Sequence, residues 1–388
     1  MARRDFGSVR RLPSERYQAS YWHDGRRHKG LVTFPTKADA NAYLSTIQAT
    51  IVRGEWKDPA LALTPFGEWH ETWKRGVVHL RPSTLARDDG YIKRYILPTF
   101  KDKQLKAISQ PTVQAWVAEL TRRDLAAATV VKAHQILSKI MSGAIDAGMI
   151  ATNPCTTVRL PRIERTEMRF LTAADVAILA AAMDPAYRAA VWLAAYGGLR
   201  AGELFGLRAK RVDTLHQRVE VAEQLVEVEG GLHFGQPKTR AGHRSVPLPD
   251  VVIKALSDHM TTYPVGPEEL VFTAPKGGPV RLASWRQRYW VPAVKKAGLT
   301  PLRIHDLRHT AVSLWIEAGA HPYDVAARAG HQSVSVVLDR YGHLMPGAAE
   351  RVNDALDVIA KSAAAGAKPK RPRSQTIAHV ARTKAEKQ

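Results

Sequence analysis

Proline constrains this chain more than any other single feature. A proline inside a helix lacks the backbone N–H and clashes with the preceding turn, so it is tolerated only in the first turn. Thr64-Pro65, Arg81-Pro82-Ser83-Thr84 and Ser109-Gln110-Pro111 therefore each mark a helix start, with Pro98 near the end of the second helix. Apolar residues then follow at helical spacing: Phe66, Trp69 and Trp73 on the first helix, and Val113, Trp116, Val117 and Leu120 on the third. A fourth helix is predicted from about Ala128 to Ala147, stopped by Gly148. Residues 61–160 thus read as an all-helical domain whose tryptophans belong to its core.

The residues before it follow a different period. Tyr17–Trp22 and His28–Phe34 flank Asp24-Gly25, a dipeptide that favours a two-residue hairpin turn, and Gly7–Leu12 supplies a third strand. Thr36-x-x-Asp39 resembles a capping box, opening a helix with Ala40, Tyr43, Leu44, Ile47 and Ile51 on one face. Residues 1–60 are therefore expected to form a three-stranded sheet packed on one helix. The sheet's other face carries arginines, lysine, histidine and polar residues, and such a sheet can enter a DNA groove. Gly54–Thr64 reads as a linker, and Asn153–Arg165 as a basic connector without apolar period. Residues 161–362 form a third block. It opens at the Thr172–Asp175 cap and contains strands over Arg218–Val228 and Leu232–Val246, joined by a turn at Gly230-Gly231. Residues 363–388 read as a basic, disordered tail. The predicted fold class is multidomain and mainly α with small β-sheets, the third block being α+β.

Charge is distributed by block. The chain of 388 residues carries a net charge of +21. Residues 1–60 hold +5, 61–165 hold +7, 166–360 hold +2 and 361–388 hold +7. Three basic blocks around a nearly neutral one point to a polyanionic partner. Cys155 is the single cysteine, which excludes an internal disulfide, and the histidines do not fall at zinc spacing with carboxylates. The longest apolar stretch, Ala189–Leu199, is short of the roughly 20 residues a membrane span needs. A soluble, cytoplasmic protein is the expectation.

Four places in the third block carry chemistry. Gly197-Gly198-Leu199-Arg200-Ala201-Gly202-Glu203-Leu204 ends an apolar helix and sets Arg200 three residues from Glu203. Leu302–Thr310 contains His305 and Arg308, which share a helix face as a phosphate-binding and proton-transfer pair. Gln236-Pro237-Lys238-Thr239 places Lys238 on the hairpin, alongside Arg240 and Arg244. His331 follows the helix-breaking Gly330, and Tyr341 comes ten residues later.

Taken in order, these residues resemble the tyrosine recombinase, or phage integrase, family. The strings Gly-Leu-Arg-x-Gly-Glu-Leu and His-x-Leu-Arg-His carry the resemblance, which is strongest from Leu171 to Met345. It implies that residues 1–60 are an arm-type DNA-binding domain, 61–160 a helical core-binding domain and 161–362 the catalytic recombinase domain. It implies that Tyr341 attacks a DNA phosphate, that Arg200 and Arg308 clamp its nonbridging oxygens and that His331 donates a further hydrogen bond. It gives the base role to His305, orientation to Glu203 and protonation of the departing 5′-oxygen to Lys238. The 3′-phosphotyrosyl product stores the bond energy, so neither ATP nor a metal cofactor is expected. The implied partners are double-stranded DNA at core and arm sites, accessory DNA-bending and directionality proteins, and three further copies. The copies would assemble through a C-terminal helix bearing Val352, Leu356 and Ile359. Arg10, Arg11, Arg16, Arg26, Arg27 and Lys29 are the candidate arm-site contacts. A chromosome-dimer resolvase or inverting recombinase, a type IB topoisomerase and a non-catalytic DNA-binding regulator are the competing readings. The first usually lacks the N-terminal sheet, the second a bipartite DNA-binding front end, and the third a complete catalytic set.

Overall fold

The computed structural model describes residues 6–78, 80–164, 168–228, 230–237, 240–345 and 348–364. They form two compact units that divide in the connector near residue 166.

The first unit opens with β1 (Ser8–Arg11), β2 (Tyr17–His23) and β3 (Arg26–Phe34), an antiparallel sheet in that order. Asp24 and Gly25 sit at φ 48° and 71°, the left-handed pair that a twist-matched two-residue hairpin demands. Helix α1 (Lys37–Val52) starts where the Thr36 hydroxyl accepts the Asp39 N–H at 3.1 Å. Ala19, Tyr21, Ala40 and Leu44 are its fully buried core. Strand alternation leaves Arg10, Gln18, Trp22, Arg27 and Lys29 on the sheet's outer face.

Two expectations are corrected here. Histidine does not join that outer face: His28 stacks on the buried Tyr21 ring at 5.4 Å. The linker expected over Gly54–Thr64 is folded rather than loose. Trp56 donates from Nε1 to the Tyr21 hydroxyl at 3.0 Å, and its ring lies 4.2 Å from that of His23. Asp58 then caps a 3-10 turn at Pro59–Leu63. A half-buried indole with a satisfied N–H gains contact area that offsets the entropy lost by ordering a short segment.

The helices of this unit are α2 (Phe66–Gly76), α3 (Pro82–Tyr91), α4 (Leu97–Phe100), α5 (Gln110–Arg122) and α6 (Ala127–Asp146), with one wide turn at Ile92–Ile96 joining α3 to α4. They enclose Phe66, Ile96, Phe100, Val113, Leu137 and Ile140. The tryptophans are core residues: Trp69 donates to the Ile140 carbonyl at 3.0 Å and Trp116 to that of Tyr95 at 2.9 Å.

The second unit comprises α7 (Ala173–Ala182), α8 (Arg188–Gly197), α9 (Ala201–Phe205), β4 (Val212–Asp213), β5 (Arg218–Val221), β6 (Gln224–Val228), β7 (Gly231–Gly235), β8 (Arg244–Pro247), α10 (Asp250–Thr262), α11 (Leu282–Trp285), α12 (Val291–Lys296), α13 (Ile304–Glu317), α14 (Pro322–Ala329), α15 (Ser335–Tyr341) and α16 (Ala348–Ala364). Helix α8 is apolar nearly all round, as a central helix must be, and α7, α10 and α13 pack on it. The single hairpin expected from residue 218 to 246 is two structures. Strand β5 pairs with β4 and β8, whereas β6 and β7 form a separate ribbon. The chain leaves the first sheet at Ala222-Glu223, where Glu223 pairs with Arg208, and Val219 opposite Val246 keeps the register that buries both. Leu356, Val358 and Ile359 on α16 are exposed. The disordered tail expected over 363–388 falls, from residue 365 on, outside the described residues.

Candidate active site

Two helices of the second unit end on left-handed glycines, and both ends point their carbonyls at arginines. Gly198 closes α8 at φ 63° and Gly330 closes α14 at φ 64°. Neither tolerates a side chain. A Cβ on Gly198 would lie 2.7 Å from the Trp315 ring, and one on Gly330 would lie 2.9 Å from the Ala241 carbonyl. Arg308, on α13, reaches across both ends: Nη1 donates to the Gly198 carbonyl at 2.5 Å, and Nη2 donates to the Ala329 carbonyl. Helix C-termini carry partial negative charge, so these carbonyls hold a guanidinium without neutralising it.

Arg200 caps the start of α9, and Glu203 in the first turn binds it twice. The Glu203 carboxylate accepts the Arg200 backbone N–H at 2.9 Å and its Nη1 at 2.7 Å. Arg200 Nη2 also donates to the Gly330 carbonyl at 3.3 Å. From β8, Arg244 adds a second fork to the same carboxylate, with Nη2 at 2.9 Å. Burial alone would raise the Glu203 pKa, but hydrogen bonds from Arg244 and then Arg200 hold it below the usual carboxylate range. Glu203 is therefore ionised and neutralises one of the three guanidiniums. Two positive charges stay uncompensated within this cluster.

The imidazoles report that field. His331 Nδ1 is buried with no hydrogen-bond partner among the described residues. Burial, then Arg308 and Arg200, push its pKa down to about 4. His305 is lowered by burial and Arg308 in the same way. Tyr341, at the end of α15, is 2 % exposed. Burial raises its pKa, with Arg308 and Arg340 opposing, so the phenol is protonated at neutral pH. Its hydroxyl lies 2.6 Å from His309 Nδ1, and the His309 ring meets His305 edge-on at 4.9 Å.

The structure thus brings Arg200, Glu203, Arg308, His305, His331 and Tyr341 into one connected cluster. Lys238 lies outside the described residues. Of the basic residues singled out in the N-terminal sheet, Arg10, Arg27 and Lys29 share the outer face with Trp22, which is 66 % exposed. Arg16 is tied to Thr33 at 2.7 Å, Arg11 pairs with Glu15 and Arg26 sits beside the hairpin turn.

Three residues of these surfaces carry no assignment in the sequence reading. His309 is four residues after His305 and so shares its helix face, a spacing visible in advance. Arg244 looks like any strand arginine until its carboxylate partner, 41 residues away in sequence, is known. Trp22 follows the outer period of β2 and could have been assigned from alternation alone.

A net positive cluster with a preorganised guanidinium pair, imidazoles and a tyrosine hydroxyl suits displacement at an anionic phosphorus centre. A phosphodiester carries one negative charge, and the five-coordinate transition state carries about two. Two uncompensated positive charges therefore favour the transition state over the ground state.

The chain is similar to known proteins along most of its length. Residues 5–53 match the model for the N-terminal domain of phage integrases, 66–121 their N-terminal SAM-like domain, and 169–347 the phage integrase family itself. The chain is 32 % identical over 373 residues to the prophage phiRv2 integrase of Mycobacterium tuberculosis, covering 93 % of this chain and 97 % of that one. It is similar in fold to the Tn1549 transposon integrase in complex with a circular intermediate DNA. The TM-score is 0.66 at 18 % identity, covering 75 % of this chain and 99 % of the other. A lambda integrase tetramer bound to a Holliday junction matches with a TM-score of 0.53 at 18 % identity, over 86 % and 94 % of the two chains.

Proposed function

The chain belongs to the phage integrase family, and from that premise we propose that it cuts and rejoins DNA at specific sites to integrate or excise a phage or mobile element. Tyr341 is the nucleophile, Arg200 and Arg308 hold the nonbridging oxygens, and His305 and His331 complete the phosphate site. Glu203 positions Arg200, and Lys238 protonates the departing 5′-oxygen. The bond energy is kept in a 3′-phosphotyrosyl ester, so rejoining draws on no nucleotide. The observation that carries this reading is the arginine cluster of Arg200, Arg244 and Arg308, left net positive around a single carboxylate, beside a buried, protonated tyrosine.

We assign residues 1–60 to arm-type sites, through Arg10, Arg11, Arg16, Arg26, Arg27 and Lys29, and residues 61–160 to the crossover core. Residues 161–362 are the catalytic domain. The protein acts on DNA in the cytoplasm of a bacterial host, as a tetramer joined through α16, with accessory bending and directionality proteins. The exposed Leu356, Val358 and Ile359 support that helix as a docking element, as does the tetramer formed by the similar lambda chain. The match of residues 5–53 to the integrase N-terminal domain favours an integrase over a resolvase.

The test is trapping on a nicked suicide duplex carrying the crossover core. Wild type should form a denaturant-stable protein–DNA adduct, and Tyr341→Phe should bind the duplex equally and form none. An adduct with the variant would move the nucleophile elsewhere, with the exposed Tyr323 next to examine.

A further inference from the structure

We propose that His309 is a catalytic residue of the cleavage step, its Nδ1 taking the Tyr341 hydroxyl proton as the phenol oxygen attacks the scissile phosphorus. The inference rests on Tyr341 being the nucleophile.

Geometry comes first. A general base must lie within hydrogen-bond reach of the proton it removes. His309 Nδ1 is 2.6 Å from the Tyr341 hydroxyl. His305, the residue that the family resemblance puts forward as base, instead faces the His309 ring edge-on at 4.9 Å. Enclosure comes second. Tyr341 is 2 % exposed and His309 6 %, so water has little access to this proton and an internal acceptor is needed.

The protonation states fix the direction of the bond. Burial, then His305, push the His309 pKa down to about 4, while burial raises that of Tyr341. At neutral pH the imidazole is neutral and the phenol keeps its proton. The hydroxyl donates to Nδ1, and the ring N–H is on Nε2. The charged and titratable groups acting on His309 are His305, Asp306 and Arg303 from α13 and its cap, and Arg340 and Tyr341 from α15. Asp306 raises its proton affinity; His305, Arg340 and Arg303 lower it. A scissile phosphate bound at Arg308 adds negative charge one residue away, which strengthens the base as the substrate docks. One turn of α13 then sets both reactants: Arg308 fixes the phosphate and His309 the nucleophile.

The step balances. The tyrosine oxygen–phosphorus bond forms, the phosphorus–O5′ bond breaks and the phenol proton moves to Nδ1, leaving an imidazolium. The departing O5′ takes its proton from the separate acid. In rejoining, the imidazolium returns its proton to the leaving phenolate.

The experiment uses the full-length protein and a core-site duplex with sulfur replacing the scissile 5′-bridging oxygen. A thiolate leaves without a proton, so nucleophile deprotonation is isolated. Wild type should form adduct at a rate nearly flat from about pH 6.5 to 8.5. His309→Ala should be slower at pH 7 by about 10²–10⁴-fold, the usual worth of a general base. Its rate should rise about tenfold per pH unit, because the proton must then leave to hydroxide. His309→Asn places an amide oxygen near the Nδ1 position and accepts the hydrogen bond, but it cannot take the proton. It should bind DNA like wild type and keep the slow, sloping profile. Wild-type rate and flat pH dependence in the asparagine variant would overturn the proposal and leave His309 a positioning residue. Wild-type behaviour of the alanine variant would overturn it as well. If the alanine variant does not fold, the asparagine variant decides alone. Adduct formed by Tyr341→Phe would instead overturn the nucleophile reading.

Discussion

Arg308 is 4 % exposed, and its hydrogen bonds run to two backbone carbonyls rather than to a carboxylate. Arg308→Ala should therefore lose about 10²–10³-fold in adduct formation, the usual cost of removing one preorganised donor, with little change in a gel-shift affinity. Lysine should not rescue it, because one ammonium cannot hold both carbonyls and face a phosphate. The histidines make a second prediction at this scale. His331 is held near pKa 4 by burial and by arginines. A bound phosphate offsets that field and raises its proton affinity, so DNA binding should take up protons and tighten as pH falls from about 7 toward 5. Calorimetry in two buffers of different ionisation heat would measure the uptake, and affinity independent of buffer and pH would remove His331 from the phosphate site. The same sign governs stability. The unfolded chain binds protons at about 6.5 that His309 refuses until about 4. The stability His309 contributes should thus be full above pH 6.5 and be lost progressively as pH drops toward 4. His309 alone accounts for on the order of 3 kcal/mol of that loss.

At the scale of elements, the two glycine-ended helices organise the site. Gly198→Ala forces a side chain into φ 63° and sets its Cβ 2.7 Å from the Trp315 ring. The change should cost about 1–3 kcal/mol. It should also displace the carbonyl that holds Arg308, so adduct formation should fall further than thermal stability alone explains. A melting curve and a cleavage time course on the same preparation would separate the two effects, and unchanged cleavage would mean that the carbonyl is dispensable. The folded segment after α1 carries its own consequence. Trp56 and Asp58 pack on the N-terminal sheet, at 3.0 Å to Tyr21 and 3.6 Å to His28. A fragment of residues 1–58 should melt higher than one of residues 1–53, because the shorter piece loses the indole that covers Tyr21. Equal melting points would show that the contact adds nothing.

At the scale of the molecule, positive charge lies mainly outside residues 166–360: +5 and +7 in the first two blocks against +2 there. Removing residues 1–60 should erase protection at flanking arm sites in a footprint, while core protection and tyrosine cleavage persist. The log–log salt dependence of affinity should become shallower, since fewer phosphates are neutralised. A full footprint from the truncated protein would refute the arm-site assignment.

Local rules were enough for much of this. Helix starts at Pro82 and Pro111, the Asp24-Gly25 turn and the Thr172–Asp175 cap depend on neighbours a few residues away, so they were legible in the sequence. So were Arg200 with Glu203 and His305 with Arg308, because three-residue spacing on a helix forces proximity. Contacts between distant segments were not legible. Arg244 meets Glu203 across 41 residues, Tyr341 meets His309 across 32, and Trp56 meets Tyr21 across 35. Each joins elements whose separation is set by how helices and strands pack, and no periodicity encodes that distance. The sequence by itself determined where the helix caps and the hairpin turn fall and that Arg200 and Glu203, and His305 and Arg308, lie together. Tertiary packing decided which imidazole touches Tyr341 and how much positive charge the arginine cluster around Glu203 keeps, because both depend on burial and on partners brought together only when the chain closes on itself.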